Sequence, residues 1–496
     1  MSEQVYLGVD LGAESGRVVA GLWDGRRMRL EELHRFPNGA VSIAGSLRWD
    51  VLRLWAEIQN GLALGARHHG QTVASVGVDT WGVDFALLSK SEELLGLPFQ
   101  YRDARTRGIM AKTFERVPRE EIFAATGIQF MEINTLYQLL ALKEHSPEIL
   151  ETADAFLMIA DWLNWCLCGA KVVEFTNATT TQFLHPTRRD WSVELLGKLG
   201  LPTKMLPPVV APGSKLGVLR ESVSGVSGLG RVEVVAPATH DTGAAVVGVP
   251  TAKTGRANWA YISSGTWSLM GVEVPRAVLT PRALEWNLTN EGGVDGTYRL
   301  LKNIMGLWLV QQCKRAFDAR GRTFDHAELV RLAGDAPPLR SLVNPDDARF
   351  LAPADMPQAI QEFCRESGQP VPESEGALVR CALESLALKY RTVLAGLEQV
   401  TGTSVEVIHI VGGGSRNHLL NQFTATACGR PALAGPVEAT VLGNLLLQVR
   451  ARGELSSLAD IRSVVRATGD VTEVEPEPPG PWADACERFA RLCSVK

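Results

Sequence analysis

Cysteine is scarce in this sequence, with eight residues in 496. Their spacing outlines no disulfide framework, and Cys166 with Cys168 lacks the second ligand pair of a zinc site. Cys364 and Cys381 stand close enough in sequence to pair, but this sparse usage points to the reducing cytosol, where thiols stay free. Long apolar runs are missing as well: no stretch approaches the ~20 residues that span a bilayer. The polar start, Met1 to Val5, runs straight into a strand-like segment, so no signal peptide is expected. Charge of one sign is not in excess. The 50 Lys and Arg stand against 55 Asp and Glu, a net −5, which gives neither nucleic acid nor an anionic membrane an electrostatic footprint. Histidines 68, 69, 145, 185 and 409 show no metal-ligand spacing.

What remains is the profile of a soluble globular protein, 45% hydrophobic and 21% charged. The length exceeds one ordinary core and suits two domains, or three small ones. Val5 to Val9, Val18 to Trp23 and Met28 to Phe36 read as three strands, with Asp24-Gly25 a two-residue hairpin signal. A helix follows, capped by Asp50 and carrying Val51, Leu54, Trp55, Ile58 and Leu62 at helical spacing. Val73 to Val78 is a buried strand, and the alternation of strands and helices beyond it predicts an α/β architecture. Tyr6 to Gly12 and Tyr261 to Gly265 are both strands ending in a glycine turn, about half the chain apart. The echo suggests two similar α/β domains, 1–247 and 248–496, divided near Pro250 and Gly255.

Four segments combine residues suited to chemistry. In Asp10 to Arg17 a strand delivers a carboxylate; small residues then leave backbone N–H groups open to anions, and Arg17 adds a cation. Asp10 is suited to a hydrated Mg²⁺ between phosphates. The segment is neither a Walker A loop nor a dinucleotide fingerprint, and as an ordinary hairpin turn it needs no ligand. In Ile410 to Asn417, three glycines (Gly412, Gly413, Gly414) join a strand to a helix, so backbone and a helix N-terminus can approach a flat or anionic ligand. In Ala236 to Gly243, Asp241 follows a strand and opens a run of small residues, which suits a general base or, equally, a helix cap. Asp79 to Asp84 has the composition of a sugar-binding loop, with Trp81 and Gly82, or of a hairpin with a core Trp. Lys302 to Trp308, with Gln311, reads as a helix whose first turn carries polar groups.

Taken in order, these segments resemble the FGGY carbohydrate kinases, over nearly the whole chain. The longest matching blocks are INTLYQ (Ile133 to Gln138), TNATTTQ (Thr176 to Gln182), ISSGTWSLMG (Ile262 to Gly271), TNEGG (Thr289 to Gly293), LKNIMGLW (Leu301 to Trp308) and IHIVGGG (Ile408 to Gly414). Asn134 to Tyr137 depart from the Lys-x-x-Trp pattern of the wider family, a departure shared with its L-rhamnulose branch. The resemblance implies two actin-like, ribonuclease-H-like domains flanking an ATP and sugar cleft. It also implies ATP-dependent phosphorylation of the 1-hydroxyl of L-rhamnulose. A sister kinase for another ketose, such as L-fuculose, and an actin-like ATPase stay open. By the same resemblance Ala13, Glu14, Ser15, Gly16 and Arg17 would contact ATP phosphates, with Asp10 on Mg²⁺ through water. Thr266, Gln311 and Gly413 would also hold ATP. Gly82, His240, Asp241, Thr242 and Asn303 would surround the ketose, with Asp241 as base. Glu14 stands where many relatives carry Ser or Thr, so only its backbone contact carries over. The expected partners are a small ketose and no macromolecule beyond a possible second copy: monomer or homodimer.

Overall fold

The structure, a computed structural model, describes residues 3–494. The chain packs into two compact units. The first comprises Met1–Gly255, Glu273–Leu300 and Ala439–Gly469; the second comprises Arg256–Val272, Leu301–Glu438 and Asp470–Lys496. The chain thus first leaves unit one at Gly255 and returns to it twice, in Glu273–Leu300 and Ala439–Gly469.

Unit one is built on a six-stranded sheet: β1 (Gln4–Leu11), β2 (Ser15–Trp23), β3 (Met28–Pro37), β4 (Val73–Thr80), β5 (Ser214–Val218) and β6 (Glu233–Ala236), in the order β5-β6-β4-β1-β2-β3. β1, β4 and β6 run parallel, while β2, β3 and β5 join antiparallel. The loop between β2 and β3 is not the expected two-residue turn, because Trp23 pairs with Met28 and four residues intervene. The Asp24 carboxylate decides this by accepting the N–H groups of Arg26 and Arg27, both at 2.7 Å.

The helix Val51–His69 forms where its periodicity predicts, and the Asp50 side chain accepts the Arg53 N–H. Gly61 lets it lie directly on the sheet, since a Cβ there would come 2.3 Å from Val18. The helices Asp241–Val247, Ala439–Ala451 and Leu458–Thr468 bury Ala244, Val247, Leu445, Leu446, Ile461 and Val465 with Tyr6, Val19, Trp23 and Met28 of β1 to β3. This shared apolar cluster stabilises the returning segment in unit one.

Unit two repeats the pattern. Trp259–Ser264 pairs antiparallel with Trp267–Val274 across the Gly265-Thr266 turn and parallel with Val407–Val411, which lies parallel to Ala432–Ala434. The central strand of each unit therefore has a hairpin partner on one side and a parallel neighbour on the other, the arrangement of a duplicated actin-like fold. One expectation fails here. Tyr298–Met305 is a strand, and the helix starts only at Trp308. Leu300, Leu301, Ile304 and Met305 are all buried, as is Arg299, so neither face shows the polar alternation that marks a half-exposed strand. Among the described residues, no helix is long and apolar enough to cross a membrane.

Candidate active site

The parallel strands β1, β4 and β6 end together. Gly8, Val9 and Asp10 pair with Gly77, Val78 and Asp79, so two identical Gly-Val-Asp triplets lie side by side. The Thr80 N–H donates to the Thr239 carbonyl at 2.9 Å, which brings the segment carrying His240 and Asp241 alongside. Asp10, Asp79 and Asp241 therefore share one edge of unit one, where β-strands commonly present functional groups.

Asp10 and Arg17 pair across the β1–β2 hairpin, and Arg17 Nε and Nη2 both donate to Asp10 Oδ2, at 2.9 and 2.8 Å. The turn between them, with Ala13, Glu14 and Ser15, is pinned by the Asn38 amide donating to the Gly12 carbonyl at 2.7 Å. A Cβ on Gly16 would come 2.4 Å from the Phe36 ring, so close packing requires glycine there. Asp79 is fully buried and accepts the Asn444 amide at 2.6 Å. Burial, then the charge of Asp10, holds its carboxyl well above the usual range, against the pull of Asn444. Asp79 Oδ1 has no hydrogen-bond partner among the described residues.

Asp241 is the first residue of its helix, and His240 occupies the N-cap position without a side-chain capping bond. Asp241 Oδ1 accepts the Thr242 N–H at 2.6 Å and the Thr242 hydroxyl at 3.3 Å, and His240 Nε2 lies 3.3 Å from the same oxygen. Oδ2 has no hydrogen-bond partner among the described residues, and the side chain keeps 32% of its exposure. Burial pushes this carboxyl above its usual range; His240 and the Thr242 N–H draw it down, while Asp10 raises it further.

Behind His240 stand two residues that the sequence did not single out. Arg299 and Glu291 are buried, and Arg299 Nη2 lies 3.2 Å from His240 Nδ1. Glu291 Oε2 lies 3.3 Å from that nitrogen and 3.2 Å from Arg299 Nη1. Asp79 belongs by sequence to the Asp79–Asp84 loop, whereas the fold sets it beside Asp10; the repeated Gly-Val-Asp is the signal that points to this pairing. Trp81 takes the blander of its two readings. It is buried against Trp49, with ring centroids 4.1 Å apart, and its indole N–H donates to Asp84 at 3.0 Å. Gly82 packs against Thr180, where a Cβ would sit 3.0 Å from the methyl group.

In unit two the Leu307 and Trp308 N–H groups donate to the carbonyls of Gly265 and Thr266, at 3.0 and 3.1 Å, so the helix bearing Gln311 starts on the Thr266 turn. Gly414 packs on the end of the same strand, where a Cβ would come 2.1 Å from Ser264 Oγ, while Gly413 faces open space. The glycine segment forms a 3₁₀ turn before the helix His418–Cys428, which the Asn417 side chain caps by accepting the Leu420 N–H. Asn303 lies on the strand Tyr298–Met305 rather than on a helix. Thr266, Gln311 and the glycine segment are thus gathered within unit two, as Asp10 to Arg17, Gly82 and His240 to Thr242 are within unit one. Among the described residues, one group of three His, Cys, Asp or Glu side chains is close enough to share a metal ion: Glu31, His68 and His69, on β3 and the last turn of the helix Val51–His69. Spacing along the chain assigns these histidines no role, because Glu31 reaches them only through the fold.

Comparison with known proteins agrees with this arrangement. Residues 5–248 match the N-terminal domain, and residues 260–452 the C-terminal domain, of the FGGY family of carbohydrate kinases. The rhamnulokinase of Bacteroides thetaiotaomicron is 45% identical over 98% of this chain and 99% of its own length. That of Oceanobacillus iheyensis is 40% identical over 95% and 98%. Among solved structures, a ligand-bound xylulose kinase from Lactobacillus acidophilus superposes with a TM-score of 0.81 at 17% identity, covering 99% of this chain and 97% of its own. A Plasmodium falciparum glycerol kinase with ADP gives 0.78 at 16% identity, covering 99% and 98%. With both family domains matched in order along a duplicated actin-like fold, the chain belongs to the FGGY family of carbohydrate kinases.

Proposed function

We propose that the protein transfers the γ-phosphoryl group of ATP to the 1-hydroxyl of L-rhamnulose in the reducing cytosol, with Asp241 as general base. The observation that carries the chemistry is the asymmetry of the Asp241 carboxylate. Oδ1 is occupied by Thr242 and faced by His240, whereas Oδ2 is left to accept a proton. Burial raises the proton affinity of this group, which makes it a stronger base. In the reaction the sugar oxygen bonds to the γ-phosphorus, the bond from that phosphorus to the β-phosphate oxygen breaks, and ADP leaves. The hydroxyl proton passes to Asp241 Oδ2 and then to solvent. Phosphoryl transfer asks mainly for positioning and charge neutralisation.

Arg17 and the backbone of Ala13 to Gly16 would neutralise and hold the phosphates, and Thr266, Gln311 and Gly413 would hold the rest of ATP. Gly82, His240, Thr242 and Asn303 would orient the ketose. The donor set suits Mg²⁺, a hard cation that takes oxygen ligands. Asp10, Asp79 and Asp241 are carboxylates on one strand edge, and the charge on Asp10 already strains the other two. Asp10 would hold the ion through water, and the ion would supply positive charge to the phosphates. The substrate choice rests on the two rhamnulokinases, which align over nearly the full length.

The test is sugar-dependent ADP release from MgATP with L-rhamnulose, L-fuculose, D-xylulose, glycerol and no sugar. L-rhamnulose should turn over fastest. Faster turnover of another ketose would overturn the substrate, and hydrolysis indifferent to sugar would overturn the kinase reading. Asp241→Asn should lower kcat by ~10²–10⁴ while ATP binding persists. A near-normal kcat would remove Asp241 as the base.

A further inference from the structure

Arg299 can only donate hydrogen bonds, and it does so to one nitrogen of a histidine. Its Nη2 stands 3.2 Å from His240 Nδ1 in hydrogen-bonding geometry. The guanidinium has no freedom to turn away: Nε donates to the Gly292 carbonyl at 2.8 Å, Nη1 lies 3.2 Å from Glu291 Oε2, and the side chain is 1% exposed. A proton on His240 Nδ1 would point at an Arg299 N–H, and Glu291 Oε2, although 3.3 Å from that nitrogen, makes no hydrogen bond to it. The nitrogen is therefore the acceptor, and the ring proton belongs on Nε2. Nε2 is the nitrogen 3.3 Å from Asp241 Oδ1.

We propose that Arg299, anchored by Glu291, is a positioning residue that holds His240 in its Nε2–H tautomer, so that the ring presents an N–H to Asp241 Oδ1 and leaves Oδ2 as the proton-accepting oxygen. This inference rests on the reading of Asp241 as base. In the opposite tautomer a nitrogen lone pair would face the carboxylate. The repulsion would favour turning the carboxyl group and exchanging the roles of its two oxygens. Arg299 and Glu291 touch no reacting atom in this account; they act through His240. A buried Arg–Glu pair could instead serve packing alone, and the experiment separates the two.

The first measurement uses the unaltered protein labelled with ¹⁵N-histidine, with the His240 signals identified by their loss in His240→Gln. The ring nitrogens should report a proton on Nε2 and none on Nδ1. A ring protonated on Nδ1, or on both nitrogens, overturns the proposal. The second is a cycle of Arg299→Met, His240→Gln and the double variant, followed by kcat for sugar-dependent ADP release, with Tm as a check on folding. A glutamine amide can offer an N–H where Nε2 stands and has no tautomers. Arg299→Met should therefore cost kcat on the order of 10- to 100-fold in the parent, the range seen when orienting partners of a functional histidine are removed, and less than about threefold in the glutamine background. An equal loss in both backgrounds makes Arg299 structural and overturns the proposal. Asp241→Asn decides the underlying reading separately. If it is inactive while His240 carries the wrong proton, only the role of Arg299 falls; if it retains activity, the base assignment falls first.

Discussion

A Cβ added to Gly443 would lie 1.9 Å from the carbonyl oxygen of Ala244, so the helices Ala439–Ala451 and Asp241–Val247 meet backbone to backbone. The contact recurs at the far end of the shorter helix, where a Cβ on Gly248 would come 2.2 Å from the Ala439 carbonyl. Asp241 begins that shorter helix, and the separation of the two helices therefore fixes where its carboxylate stands.

Gly443→Ala is accordingly expected to do two things at once. Forcing the helices apart should cost about 1–3 kcal/mol, the usual range for overpacking, and lower Tm by several degrees. It should also reduce kcat more than it changes KM for ATP, because the displaced group is the proposed base. Calorimetry and steady-state kinetics on the same preparation test both; an unchanged Tm and kcat would show that the contact yields easily.

Asp84 gives a prediction about pH. It is fully buried, its Oδ2 accepts the indole N–H groups of Trp49 and Trp81 and the Tyr101 N–H, and its Oδ1 accepts the Gln138 amide. Burial outweighs these four donors and raises the carboxyl from 3.8 to about 6. Between those values the folded chain keeps a proton that the unfolded chain has lost. The resulting stabilisation is complete below about pH 4 and is lost as pH rises through about 6, a change on the order of 3 kcal/mol at about 1.4 kcal/mol per unit. Asp84→Asn cannot titrate. Tm of the wild type minus Tm of this variant should fall as pH rises from 4.5 to 7.5, and a difference that rises would contradict the raised value.

The elements that the sequence revealed are those whose signals are local. The turn from Asp10 to Arg17, the Asp50 cap and the glycine segment between strand and helix each fit within a few residues and appear where expected. The strand Tyr298–Met305 was hidden because Arg299, Lys302 and Asn303 interrupt its apolar residues and leave no alternation of period two. Arg299 disappeared with it. The pairing of Asp79 with Asp10 joins two strands more than sixty residues apart, and only the repeated Gly-Val-Asp hints at it. The return of Ala439–Ala451 to unit one depends on packing against Tyr6 and Val19 and on the Asn444–Asp79 hydrogen bond, which no local pattern encodes.

Arg17 stands between two demands. Its Nε and Nη2 both serve one oxygen of Asp10, and its side chain is 15% exposed, so in this structure it neutralises a carboxylate that lies near two others. In the proposed reaction it must also meet phosphate oxygens, and its planar fork can do both where an ammonium cannot. Arg17→Met is expected to raise KM for MgATP by about tenfold or more, each decade being ~1.4 kcal/mol, and to leave KM for the sugar nearly unchanged. Arg17→Lys should recover only part of the loss, since one point charge replaces two directed donors. Steady-state kinetics with each substrate varied in turn gives the answer. A rise confined to the sugar KM would move Arg17 out of the phosphate site and leave its pairing with Asp10 as its whole role.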